Sequence, residues 1–214
     1  MSWLFVLDTK VMTPVFSTAY LPPISYFQSL LQFENVCFEQ WEHFQKQTSR
    51  NRCFILGPNG VQCLSIPVIH ISGKRQLMKD IKISDEMPWQ RTHWRSISAA
   101  YNRSPFFEYF ADDFFTFYGD KKYHWLFEFN EQQLNWVLKV LKQNKSLEKT
   151  TSFQTENKED FRKLSDAKSN IQFGEQEVKS YNQVFISKFG FTPNLSIIDL
   201  LFNTGNRALE IITK

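Results

Sequence analysis

Apolar and polar positions along this chain follow one period in its first third and another in its middle. Residues 15–20 form an apolar, β-favouring run and predict a first strand. Pro22-Pro23 ends it, and Pro23 suits the first turn of a helix. Ile24, Phe27, Leu30 and Leu31 recur at i, i+3, i+6 and i+7, which is one helical face. Asn35 closes that helix, and residues 36–39 predict a second strand. Residues 52–56 and 61–66 predict two strands joined by Gly57-Pro58-Asn59-Gly60, because Asn-Gly favours the positive φ of a hairpin turn. Pro67 marks a strand end. Residues 80–84 alternate as a half-buried strand does.

From Pro88 the period becomes helical. Trp89, His93, Ile97 and Tyr101 fall at i+4 steps. Ser104-Pro105 is a good cap and first-turn pair for the next helix. Its face is aromatic, from Phe106 and Phe107 to Phe117 and Tyr118. Asn130 is the expected cap of a third helix, with Leu134, Val137, Leu138 and Leu141 on one stripe. Residues 144–180 are polar, and predict a weakly ordered, loop-rich insertion with one helical turn near 159–164. A last helix is expected over 195–202, with Gly205 as its C-terminal cap. Strands interleaved with helices predict an α/β fold. The expectation is a single domain over 14–214, with helices packed on a mixed sheet that contains one antiparallel hairpin. Residues 1–13 read as an N-terminal extension.

Composition adds three bounds. The 214 residues include 22 Phe, and 16% of the chain is aromatic, enough for one well-packed core. A net charge of +3 with scattered Lys and Arg does not call for nucleic acid. The short cluster Gly73-Lys74-Arg75 reads as a solvated turn. Cys37, Cys53 and Cys63 form no CxxC pair, and are expected as buried, reduced thiols without a zinc site. The first residues lack the basic and apolar regions of a signal peptide, and no run reaches the ~18–20 apolar residues of a membrane span. A cytoplasmic protein follows, with no cofactor expected.

The chain has no Gly-rich nucleotide motif, no HExxH and no GxSxG. Its candidate chemistry is less direct. Lys46 and Arg50-Asn51-Arg52 precede an apolar strand. Arg50 and Arg52 would share one face of an extended segment and clamp a phosphate or carboxylate, with Asn51 orienting it. Solvated charges are the plainer alternative. His93 is the candidate general acid or base, with Trp89 and Tyr101 on its helical stripe. The alternative is a core histidine hydrogen-bonded among aromatic neighbours. Tyr20 and Tyr26 flank the end of the first strand, where α/β folds gather ligands; aromatic packing around Pro22-Pro23 is the plainer reading.

In order and spacing, residues 20–27 (Tyr20-Leu21-Pro22-Pro23 running to Tyr26-Phe27), Arg50-Asn51-Arg52, Leu64-Ser65-Ile66-Pro67-Val68, Trp89 with His93, and Tyr101 resemble the WbqC-like family. Residues 193–201 resemble its C-terminal segment. Ser17-Thr18, Pro23 and Ser25 depart from its commoner pattern and mark a divergent branch. The resemblance implies a role in O-antigen or other surface-polysaccharide synthesis, with glycyl or aminoacyl transfer to or from a small anionic or sugar substrate. A non-catalytic module that binds an anion or a protein partner is the other reading.

Overall fold

Two small sheets divide the strands of this protein. The computed structural model describes residues 13–71, 73–119, 121–155, 159–166 and 178–213. Apart from Thr13, the expected N-terminal extension lies outside them, as do residues 167–177 of the polar insertion. Strands β1 (Val15–Phe16), β2 (Asn35–Phe38) and β5 (Ser146–Lys149) form a parallel sheet in the order β1-β2-β5. Val15 pairs with Cys37, and Asn35 with Ser146. Strands β3 (Arg52–Gly57) and β4 (Gly60–Ser65) form the predicted antiparallel hairpin, which stands apart as its own sheet. Pro58 and Asn59 make its two-residue loop, and Gly60 takes φ +106° beside them.

The first helix, α1 (Ile24–Leu30), follows Pro23, whose extended backbone precedes the first turn. Asn194 caps that turn from far along the chain: its Oδ1 accepts from the Ser25 N–H at 2.9 Å. Helix α2 (Trp89–Tyr101) buries Trp89, His93, Ile97 and Tyr101, the stripe predicted from spacing, and packs on β3. Helices α3 (Phe107–Phe115) and α4 (Leu126–Val140) follow, then a short α5 (Ile186–Phe189). The chain ends with α6 (Ile197–Thr204) and α7 (Ala208–Ile212).

Rings from several elements meet in the core. Phe107, Phe110 and Phe114 of α3 surround Phe202 of α6, with ring centroids 5.4, 6.2 and 5.6 Å away. Such edge and tilted contacts contribute beyond the area they bury. Gly205 ends α6 as predicted, at φ +54°. A Cβ there would stand 2.5 Å from the Phe106 ring, so both conformation and packing require glycine.

Four expectations need correction. Residues 80–84 make no strand: a 3-10 turn spans Met78–Asp80, and only single bridges follow, Val68 to Ile83 and Lys82 to Trp125. Asn130 caps nothing. Helix α4 starts at Leu126, and Asn130 is buried inside it, donating from Nδ2 to the Arg50 carbonyl at 2.8 Å. The polar insertion supplies β5, and Phe161 stacks on Phe16 at 4.7 Å. Cys63 is exposed and Cys37 half-buried, so only Cys53 fits the expected buried thiol.

Candidate functional site

Tyr20, His93 and Trp89 do come together, but inside the core. The predicted first strand ends at Phe16, and Tyr20, in the bend that follows it, is fully buried. Leu21 follows at φ +41°, an uncommon conformation for a side chain of its size. The Ser196 hydroxyl holds that kink by donating to the Leu21 carbonyl at 2.9 Å. The Tyr20 hydroxyl lies 2.8 Å from His93 Nδ1 and 2.8 Å from the Tyr118 hydroxyl. Gln133 Nε2 donates to the same Tyr118 oxygen at 3.1 Å. Trp89 closes over the imidazole edge-on, with centroids 5.3 Å apart.

Burial pushes His93 down to about 4, and a main-chain contact with Ser65 opposes the shift only in part. The ring is therefore neutral at pH 7. An amide N–H can only donate, so the chain runs in one order: Gln133 to Tyr118, Tyr118 to Tyr20, Tyr20 to His93 Nδ1. Gln133 Oε1 is left without a partner among the described residues. Burial also raises Tyr20 and Tyr118 far above the usual tyrosine range. At 4% exposure, His93 has its proton partners inside the protein.

The other two tyrosines lie elsewhere. Tyr26 donates to the Ser17 carbonyl at 2.7 Å. Tyr101 stacks edge-on against Phe202 and faces a second buried polar cluster around Asp199. Asp199 Oδ1 accepts from the Tyr181 hydroxyl at 2.9 Å and from Gln183 Nε2 at 3.1 Å. Burial raises this carboxyl to about 6 despite those donors. Burial first, and the Asp199 charge second, raise Tyr101, whose hydroxyl makes no well-formed hydrogen bond.

Arg50 and Arg52 make no common clamp. Arg50 is 1% exposed, and its fork grips Glu42: Nε donates to Oε1 at 2.9 Å and Nη2 to Oε2 at 2.7 Å. Nη1 donates to Asp166 Oδ1 at 2.6 Å, and Nη2 also reaches Ser17 Oγ at 3.0 Å. Burial disfavours the charge, but Glu42 and then Asp166 more than offset it and raise the Arg50 pKa. Arg52 sits half-buried on β3, opposite Ser65. Asn51 braces the hairpin, donating from Nδ2 to the Ile66 carbonyl at 2.9 Å.

The open part of the molecule is next to Arg50. A cleft of about 750 Å³ lies between residues 41–45 and the segment 159–166, lined by Glu42, His43, Arg75, Phe153 and Lys163 among others. A second cleft of about 540 Å³ adjoins it and holds Lys46, His70 and Lys74. Lys46, Lys74, Arg75 and Lys163 are exposed, and none is in an ion pair with the described residues. The carboxylates nearby are already engaged: Glu42 and Asp166 by Arg50, and Asp160 by Arg162 at 2.6 Å. A third groove, about 360 Å³, runs outside Trp89 and Tyr118. His93 lines none of these three.

Of the residues picked from sequence, only Lys46 and Arg50 reach the cationic clefts. Arg75 and Lys163 were the ones missed. Their signals were weak: a short basic cluster at residues 74–75, and Arg162-Lys163 in the polar insertion. Among the described residues, no helix is long and apolar enough to cross a membrane.

An α/β domain with a sealed aromatic–polar core and a cationic cleft at its surface is the class these observations define. The chain belongs to the WbqC-like protein family, whose profile matches residues 18–167 and 156–211. It is similar to an uncharacterized protein of Mycobacterium tuberculosis (strain ATCC 25618 / H37Rv), Rv1507c. The two are 23% identical over 221 residues, which cover 90% of this chain and 94% of that one. No solved structure matches it.

Proposed function

We propose that this protein binds an anionic small molecule in the cleft beside Arg50 and transfers a glycyl, aminoacyl or related group in the synthesis of a surface polysaccharide. One observation carries the binding step: Lys46, Arg75 and Lys163 line the two adjoining clefts and are in no ion pair among the described residues, while Glu42, Asp166 and Asp160 are held by Arg50 and Arg162. An uncompensated positive cleft attracts anions and raises their local concentration. In this reading Arg50 is a positioning residue that fixes the cleft wall through Glu42 and Asp166. The donor's acyl carbon bonds to an acceptor hydroxyl or amine, His43 takes the acceptor's proton, and the anionic leaving group stays with the cations. The transfer step is taken from what the resemblance to the family implies.

A non-catalytic binding module is the second reading. It is favoured by His93, the imidazole first expected to move protons, being sealed in the core with Tyr20 on its Nδ1. A thermal-shift series with inorganic pyrophosphate, simple acyl phosphates and aminoacyl donors tests the binding step. Stabilisation that disappears in Arg75→Ala and Lys163→Ala supports the cleft. A shift that survives both changes removes it. Turnover with a donor found this way, lost in His43→Ala, separates the transferase from the module.

A further inference from the structure

The cationic cleft has two chambers. The larger contains Trp41, Phe153 and Lys163, and the smaller contains Lys46 and His70; Phe44 and Arg75 line both and form their junction. Volumes of about 750 and 540 Å³ exceed what a bare phosphate or an amino acid fills. The larger chamber is also aromatic. Phe153 is a large apolar side chain left 49% exposed at its edge. The Arg162 guanidinium lies 5.0 Å from the centre of the Phe153 ring, and is itself held by Asp160 at 2.6 Å and by Glu39 at 3.7 Å. A fixed cation against one side of an exposed ring makes a firm stacking platform. Aromatic platforms of this kind hold nucleobases, and cations beside them hold the phosphates.

We infer that the cleft takes a nucleoside diphosphate bearing a further polar group. The base stacks on Phe153, the diphosphate sits at Arg75 and Lys163, and the polar group occupies the chamber of Lys46 and His70. This rests on the anion-binding reading above and adds the nucleoside to it. The lining suits such a ligand: the larger chamber has Phe153 with Lys163, Arg75 is shared by both, and the smaller has Lys46 and His70.

Isothermal titration of the full chain with UDP, ADP, uridine and inorganic pyrophosphate tests the inference. At least one nucleoside diphosphate binds at least tenfold more tightly than pyrophosphate or uridine. Phe153→Ala weakens that nucleotide roughly tenfold and leaves pyrophosphate unchanged, while Arg75→Ala weakens both. Phe153→Leu, which keeps apolar bulk but removes the ring, behaves as Phe153→Ala does. Pyrophosphate binding as tightly as either nucleotide, or Phe153 variants with unchanged nucleotide affinity, overturns the nucleoside and leaves the anion site standing. No binding of any of these compounds overturns both.

Discussion

Two polar assemblies in this protein differ in where their partners come from. In the core, Gln133 Nε2, Tyr118, Tyr20 and His93 Nδ1 bond to one another in a single donor-to-acceptor order. At the surface, Arg50 and Arg162 have their own carboxylates, but Arg75, Lys46 and Lys163 are in no ion pair among the described residues. A closed network in low dielectric fixes one arrangement of the core, and any gap in it is costly. Exposed unpaired cations are hydrated and cost little until a ligand replaces the water. Residue types alone do not separate the two cases, since each sets imidazoles among aromatic rings. Where the polar groups face separates them: the core hydroxyls and imidazole face one another, while the cleft cations face solvent and have room for a ligand.

The sharpest way to break that contrast is at Arg50, which belongs to the cleft wall but is built like the core. Arg50→Ala leaves Glu42 buried without its cation, and should cost about 3–5 kcal/mol in urea unfolding. Asp166→Ala removes the partner that is 38% exposed, and should cost about 1 kcal/mol or less. Equal losses from the two would mean that Arg50 is not sealed by Glu42.

Acid titration exposes the buried groups through two opposing slopes. His93 is held near 4, so between about 4 and its ordinary 6.5 the unfolded chain takes up a proton that the folded chain refuses. Its contribution is full above 6.5 and is lost as pH falls towards 4. Asp199 is held near 6, so between its ordinary 3.8 and 6 the folded chain keeps a proton that the unfolded chain releases. Its contribution is full below 3.8 and is lost as pH rises towards 6. Each amounts to about 3 kcal/mol, and across pH 4–6 the two largely cancel. Asp199→Asn should therefore unmask a rise of stability with pH in that window, and His93→Gln a fall. Unfolding curves at half-unit pH steps read both, and parallel curves for the two variants would refute the assignment.

Tyr20→Phe removes one hydroxyl from the core chain and strands both His93 Nδ1 and the Tyr118 hydroxyl. A loss of about 1–3 kcal/mol is expected, with the His93 ring resonances shifted in NMR spectra. The smallest effect should come from the cleft. Arg75→Ala and Lys163→Ala should stay within about 0.5 kcal/mol of the parent in stability while abolishing the anion-dependent rise in Tm. A cleft cation that proved as costly to remove as Tyr20 would belong with the core.

Elements with a period of their own were legible in the sequence. The Asn-Gly hairpin, the Trp89–Tyr101 helix and the glycine cap at Gly205 all form where local chemistry puts them. The start of α4 was misplaced because the Asn130 amide serves the Arg50 carbonyl, a tertiary partner that local capping rules do not register. Strand β5 was missed because only Leu147 turns inward; Ser146, Glu148 and Lys149 are exposed, as suits a charged sheet edge. The site was harder still. His93 and Tyr20 were candidates because nothing in the sequence shows that they bond to each other inside the core. Glu42, eight residues before Arg50, and Asp166, 116 residues after it, turn the expected clamp into a buried brace. Arg75 and Lys163 meet only in the folded chain.

The order β1-β2-β5 also sets a schedule for the growing chain. Strand β2 is the centre of its sheet, yet its second neighbour is residues 146–149. At ~5–20 residues per second, that partner leaves the ribosome roughly 5–20 s after β2 does. In that interval β2 has an unpaired edge and the buried side chains Val36 and Phe38 to keep from other chains. Parallel pairing across so long a loop closes late, because its entropy must be lost before any contact repays it. The polar residues 146–149 are therefore where β2 gains its second neighbour and this sheet is closed.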